Sequence, residues 1–307
     1  MDEAWRLTAK ADALKLRAAM LLSIRGFFQA ADFLEIETPY RIPSPAPESH
    51  IDAVISGEWF LHTSPELCMK RLLAAGYPRI FQICRCFRAG ERGTRHLPEF
   101  TLLEWYRSGA DYRDLMVDCE ALIGRVAADL GLPGSCSWQG NRIDLDPPWE
   151  RISVREAFAR HASMTPEEAL SRDCFDEVMA DIEPRLGLEK PVFLYDYPAP
   201  LGALARLKAG EPDLAERFEL YMAGLEMANA FSELTDAGEQ RRRFEAANLQ
   251  RRLGGCPVYP MPEAFLDALP RMPASAAGIA LGVDRLAMIL ADRARIDDVV
   301  AFTPETL

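Results

Sequence analysis

The sequence predicts an α+β fold, a mainly antiparallel sheet flanked by helices. Three observations carry that expectation. Strand-like segments come in adjacent pairs, one around a polar loop within 79–107 and one around a tight turn within 216–234. Strands do not alternate regularly with helices, which argues against a doubly wound sheet. The chain has 307 residues, 49 % apolar and 27 % charged, enough to bury a large core without staples.

Residues 9–31 read as an amphipathic helix, with Leu14, Ala18, Leu21, Leu22 and Phe28 at helical spacing. It runs into LEIETP, 34–39, a short strand that Pro39 stops. PSPAPESH, 43–50, is a loop, and EWFLHTS, 58–64, a strand. Ser64 caps the next helix, which has Pro65 at its first position and Gly76 at its end. RIFQICRCFR, 79–88, and FTLLEWYR, 100–107, pair antiparallel. A long helix covers 111–131. The Gly-, Pro- and Trp-rich residues 132–150 open an insertion that continues as helices over 153–187. Strand 191–198 precedes the 216–234 hairpin, whose turn falls near Met222–Gly224. Helix 236–254 follows, and strand 277–282 passes directly into helix 283–292.

The net charge of −12 opposes extended binding to a phosphate backbone, though not a local basic cleft. MDEAWR at the start has no apolar signal region and no stretch is long enough to span a membrane, so a cytoplasmic protein is expected. The seven cysteines form no CxxC; Cys84 and Cys86 face the same way on their strand and read as buried reduced thiols rather than a zinc or disulfide pair. There is no GxxxxGK[ST], GxGxxG, HExxH or GxSxG, so any use of ATP is not through a P-loop.

Three segments could carry chemistry. In FRAGERGTRHLPEFTLLEWYR, the loop gathers Arg88, Arg92, Arg95 and His96, and strand parity puts Phe100, Glu104 and Tyr106 on one face. Phosphates on the arginines and adenine on Phe100 would suit this arrangement; a solvated basic hairpin is the alternative. In the 216–234 hairpin, a turn centred on Met222–Ala223 sets Glu219 opposite Glu226. Two carboxylates about 5 Å apart repel unless a divalent cation lies between them. An exposed face with salt bridges is the alternative. In GIALGVDR, Gly282 ends a strand and Arg285 sits in the first turn of the next helix, a place for a phosphate or for a structural arginine.

The order of these segments resembles the catalytic core of class II aminoacyl-tRNA synthetases. The first helix with LEIETP resembles motif 1, FRAGERGTRHLPEF motif 2 and GIALGVDRL motif 3. TSPELCMKRLL, RHLPEFTLLEWY and LEMANAFSELTD are closer still to lysyl-tRNA synthetases, and PEFTLLEWYR to their stand-alone paralogues that attach lysine, preferably (R)-β-lysine, to elongation factor P. The resemblance implies one catalytic domain over 1–307, a helical insertion at about 132–190 and no N-terminal OB-fold anticodon domain. It implies an ATP-dependent, AMP-forming ligase that uses Mg²⁺, forms a homodimer, takes elongation factor P as its protein substrate and binds no tRNA stably.

Residue by residue it implies Arg88 on the α-phosphate, Phe100 on adenine, Arg95 and His96 near the outer phosphates and Arg285 on the γ-phosphate. Gly282 would lie under the nucleotide, with Glu91 and Met227 among its contacts. Glu219 and Glu226 match metal ligands. Ser64 and Glu66 would hold the amino-acid head, and Tyr106 and Glu233 the side-chain ammonium, with Asn229 and Ala280 in the same pocket. The sequence departs from the family pattern in three places. Ala89-Gly90 stand for the usual Asn-Glu after the motif 2 arginine, so that Glu91 takes over after a loop shift. Leu97 stands for an Asn and Ala280 for a Gly. Arg92 and Arg95 are candidates for a patch that meets the acceptor protein.

Overall fold

The computed structural model describes residues 3–307. An additional short helix, α1 (Glu3–Ala9), precedes the first helix predicted from the sequence, α2 (Ala11–Ala30), and meets it at Lys10, whose ammonium donates to the Val300 carbonyl at 3.0 Å. Short strands follow: β1 (Leu34–Glu35), β2 (Arg41–Ile42), β3 (Ile55–Ser56) and β4 (Trp59–Leu61). Helix α3 (Glu66–Ala74) leads to the long pair β5 (Arg79–Phe87) and β6 (Glu99–Ser108), then α4 (Tyr112–Asp129). Asp111 caps α4 with a full capping box, which fixes its start.

The 132–190 segment is less helical than the sequence suggests. It opens with a hairpin, β7 (Ser135–Trp138) and β8 (Asn141–Asp144), and strand β9 (Glu150–Ser153), before helices α5 (Val154–His161), α6 (Pro166–Ser171) and α7 (Phe175–Ile182). β9 is the sheet's edge and pairs parallel with β10 (Val192–Pro198). Alternation in four-residue strands is too short to separate from a loop pattern, which hid them. The helices close a small core of their own around Phe158, Phe175, Met179 and Ile182.

β11 (Leu207–Lys208), β12 (Glu211–Met222) and β13 (Leu225–Ser232) come next, then α8 (Ala237–Leu253), α9 (Glu263–Leu266), β14 (Ala276–Gly282) and α10 (Val283–Leu290). The central sheet runs β1-β5-β6-β14-β13-β12-β10-β9, with β11 against β12. Only its two end pairs, β1–β5 and β9–β10, are parallel. Among the described residues no helix is long and apolar enough to cross a membrane.

Strand parity divides the sheet's faces. Phe81, Leu103, Trp105, Ile279, Leu281, Ala230 and Phe218 point to the main core, which α2, α4 and α10 cover. Phe28 of α2, fully buried, stacks on Phe81 at 4.7 Å. Burial of one such ring contributes roughly 2–3 kcal/mol. The other face of the same strands carries the polar side chains.

Candidate active site

That polar face floors a cavity of about 900 Å³, roofed by α8 and by the loops at 47–51 and 199–207. β6 supplies Phe100, Leu102, Glu104 and Tyr106, and β14 supplies Gly278, Ala280 and Gly282. Ala280 lies opposite Glu104 on one side and Asn229 on the other, at the centre of the floor.

One end is anionic and dry. Ser64 donates to Glu104 Oε1 at 2.7 Å, and the Tyr106 hydroxyl donates to Oε2 at 2.8 Å. The Ser64 hydroxyl also accepts from the Glu66 amide at 3.0 Å, so it caps α3 although the helix begins two residues later. Lys70, one turn along α3, puts its ammonium 2.5 Å from both Glu66 and Glu233 and 4.8 Å from the Phe231 ring centroid. Glu233 is 1 % exposed, and its Oε1 lies 2.6 Å from where a Cβ on Gly278 of the floor would sit. Burial pushes the Glu104 and Glu233 carboxyls up, each to about 8. The charged form is disfavoured where water cannot reach it. Glu66 and Glu233 thus share one resident ammonium, and Glu104 has only hydroxyl partners.

The other end is cationic. Arg88 stacks its guanidinium over the Phe100 ring at 4.9 Å and faces Glu91 at 3.8 Å. Arg285, at the start of α10, donates to the Glu226 carbonyl at 2.6 Å, to its carboxylate at 3.3 Å, and to His96 Nε2 at 2.5 Å. Burial first, and then the Arg285 charge, lower the His96 pKa, so the imidazole is a neutral acceptor. Arg285 therefore joins the basic loop, the acidic hairpin and its own helix. Arg95, Met227 and Gly282 line the same end. A Cβ on Gly282 would come no closer than 3.8 Å to any atom, so nothing in the fold fills the space above it. Arg92 points elsewhere: its guanidinium pairs with Asp297 and Glu305, a structural tie to the C-terminal segment.

The acidic hairpin corrects one expectation. Glu219 is not opposite Glu226: the turn is Ala223–Gly224, and Tyr221 faces Glu226. Both turn residues have positive φ, 51° and 71°, the geometry of a tight hairpin turn. Two residues further on, Glu219 faces Asn229, because a bulge between Leu220 and Tyr221 places one extra residue, Met227, on β13. The two glutamates nevertheless share the cavity face as diagonal neighbours. Glu219 is held by Arg217 at 2.6 Å and the Tyr221 hydroxyl at 2.6 Å. Burial raises its pKa, with Arg217 opposing. Two carboxylates with lone pairs to spare on one face form an oxygen donor set that fits Mg²⁺.

Sequence reasoning missed Lys70, Gly278, Glu48 and Arg217, and gave Glu104 no role of its own. Lys70 follows Glu66 by four residues on a helix, a readable ion-pair spacing. Gly278, a glycine inside a strand, signals close approach: a Cβ there would lie 2.2 Å from the Tyr106 ring and 2.6 Å from Glu233 Oε1. Glu48, on the roof loop, is held up at about 7 by burial, against the pull of Arg88.

Comparison with known proteins follows the same lines. Residues 4–306 match the family described as tRNA synthetases class II (D, K and N). The chain is 39 % identical over 316 residues to the elongation factor P–(R)-β-lysine ligase of Salmonella arizonae, with 97 % of each chain covered. The proteins of that name from Salmonella gallinarum and Salmonella enteritidis show the same identity and coverage.

Proposed function

Since the chain belongs to the class II tRNA synthetases (D, K and N), we propose that it activates (R)-β-lysine with ATP and transfers it to a lysine of elongation factor P. The observation that carries this reading is the anionic end, where Glu66 and Glu233 share the Lys70 ammonium and Glu104 meets only the Ser64 and Tyr106 hydroxyls, with no cation of its own. A second ammonium, from a long cationic amino acid, offsets more of that negative charge, and an uncharged analogue leaves buried carboxyl groups without a cation.

In the first step a carboxylate oxygen of the amino acid attacks the α-phosphorus of ATP, the bond to pyrophosphate breaks and pyrophosphate leaves. Arg88 and Arg285 oppose the charge that develops, Phe100 takes the adenine, and Gly282 leaves room for the nucleotide. Arg95, His96, Glu91 and Met227 border it. Glu219 and Glu226 would hold Mg²⁺, which when bound neutralises phosphate charge. Ser64 and Glu66 hold the amino-acid head and Tyr106 and Glu233 the side-chain ammonium, with Asn229 and Ala280 beneath. In the second step the ε-amine of the acceptor lysine attacks the carbonyl carbon, AMP leaves and the amine loses a proton. Positioning and fixed charge supply the catalysis, so no enzyme nucleophile is needed.

The acceptor is tested directly. Enzyme, ATP, Mg²⁺ and labelled β-lysine are incubated with elongation factor P or with lysine tRNA. Label is expected on one lysine of the protein, with little on tRNA, because a net charge of −12 opposes extended binding to a phosphate backbone. Comparable charging of tRNA with none on the protein would sink the reading.

The pH dependence follows from the carboxyls held near pH 8. Below that pH Glu104 carries a proton that a bound ammonium must expel. The KM for the amino acid is expected to fall as pH rises from about 6.5 to 8, by up to about tenfold per unit, while the KM for ATP does not follow. Glu104→Gln should flatten the profile. An unchanged slope in that variant would remove the assignment.

We also propose that the chain is a single catalytic domain and pairs as a homodimer through residues 9–39. Leu22 and Leu34 expose large apolar side chains there, Leu22 at 74 %, and Tyr40 does so just beyond. Sedimentation should give twice the 34.3 kDa chain mass at micromolar concentration; a fully active monomer contradicts this.

A further inference from the structure

We infer that His62, Cys84 and Cys86 form a binding site for one thiophilic d¹⁰ cation, Zn²⁺ or Cu⁺. The two cysteines sit two residues apart on β5, so the strand's alternation sends both sulfurs to the cavity side. The Sγ atoms are 3.9 Å apart. The third donor comes from a distant part of the sequence. His62 follows β4, and its backbone is fastened at both ends: its amide donates to the Tyr40 carbonyl at 2.8 Å, and its carbonyl accepts from the Phe87 amide at 3.0 Å. That fastening holds Nε2 3.9 Å from Cys86 Sγ. All three donor atoms lie within 4.8 Å of one another, the one such group of His, Cys, Asp and Glu among the described residues.

The spacing suits an ion. With Zn–S about 2.3 Å and Zn–N about 2.0–2.1 Å, a tetrahedral centre sets its sulfurs about 3.8 Å apart and each sulfur about 3.6 Å from the nitrogen. The donor triangle is thus already close to its loaded size, and small side-chain shifts close it. The ligand set is soft, which favours Zn²⁺ and Cu⁺ over Mg²⁺. His62, Cys84 and Cys86 are 1 %, 3 % and 0 % exposed. Two thiolates and a neutral imidazole cancel a dication, so Zn²⁺ enters this dry wall without leaving a net charge.

Loading balances simply. Two thiol protons leave as the ion enters, and no redox change occurs. In the free chain His62 Nε2 lies 2.6 Å from the Arg85 carbonyl, where it donates. Binding moves that proton to Nδ1 and turns the ring from the carbonyl to the ion. The bound cation would then staple β5 to the segment that continues into Ser64 and Glu66. It would sit one strand outward from Phe100 and Leu102, which face Cys86 and Cys84 across the pair. The site is therefore distinct from the oxygen donors Glu219 and Glu226.

The test uses the full chain, reduced and metal-free. Co²⁺ alone serves as the optical probe. At one equivalent it should give thiolate-to-cobalt absorption, which Zn²⁺ abolishes by displacement; a separate arm titrates Cu⁺ under anaerobic conditions. Competition with a chromophoric chelator should show Cys84→Ser and Cys86→Ser each weakening Zn²⁺ binding by about a hundredfold or more, with Cys256→Ser unchanged. The wild-type chain also answers alone, should a variant fail to fold. In mild urea, Zn²⁺ should slow alkylation of Cys84 and Cys86 but not of Cys68, Cys174 or Cys256. Absence of the cobalt band, or wild-type affinity in either serine variant, overturns the site. Protection of Cys68, Cys174 or Cys256 in place of the β5 pair does so as well.

Discussion

Arg285→Ala is expected to lower ATP–pyrophosphate exchange by about 10³-fold or more, the scale seen when an arginine is taken from a phosphoryl-transfer site. The side chain does two things that no neighbour can replace. It offers fixed positive charge at the mouth of α10, and it bonds both Glu226 and His96. Removal therefore frees the acidic hairpin and the basic loop from each other. Arg285→Lys should recover little, because an ammonium lacks the planar fork that reaches the Glu226 carbonyl and His96 from two separate nitrogens. The same assay at limiting Mg²⁺ separates the arginine from its partner: Glu226→Gln should raise the Mg²⁺ requirement, whereas Arg285→Ala should stay slow at every Mg²⁺ concentration. Exchange within tenfold of wild type in Arg285→Ala would place the residue outside the reaction.

Gly278→Ala is expected to lower kcat/KM for the amino acid by about a hundredfold, with the KM for ATP little changed. The added methyl would start 2.2 Å from Tyr106 Cε1 and 2.6 Å from Glu233 Oε1, so one or both must move. Tyr106 is pinned by Glu104 and Glu233 by Lys70, which leaves neither a cheap retreat. Overpacking of this kind costs roughly 1–3 kcal/mol of stability. A drop in Tm should accompany the kinetic loss, and a folded variant with wild-type kcat/KM would show that the ring yields freely. Ala280→Gly, on the same strand but facing open cavity, should cost no comparable stability.

How much of this was legible in the sequence depended on the length of the pattern. The β5–β6 pair was plain, because strands of nine and ten residues flank one polar loop. Phe100, Glu104 and Tyr106 accordingly share the cavity wall as their parity requires. Arg88, His96, Glu226 and Arg285 gather at one end, a convergence that rests on the antiparallel neighbours β6, β14 and β13. What failed was local. A regular β12–β13 pair turning at Met222–Ala223 would set Glu219 opposite Glu226, but the turn falls one residue later and the bulge beyond it carries no strong sequence mark. β7, β8 and β9 were too short to show a period. Lys70 was overlooked because a lysine on a short helix is ordinarily a solvated one, and only the sheet behind it makes it a buried counter-ion. His62 gained its neighbours through the fold alone, 22 residues from Cys84 in the chain.

The extra residue on β13 has a consequence for how this region tolerates change. Before it, the even-numbered Glu226 looks into the cavity; beyond it, the odd-numbered Asn229 and Phe231 do. The strand therefore works like a text whose frame shifts once, and both halves read correctly only because of that shift. A substitution at Met227 keeps the frame. Deletion of Met227 restores perfect alternation and turns either Glu226 or the Asn229–Phe231 stretch into the core, against Phe218 and Leu220. Related chains should accordingly vary in the residue that fills this position far more freely than in the number of residues between Glu226 and Asn229.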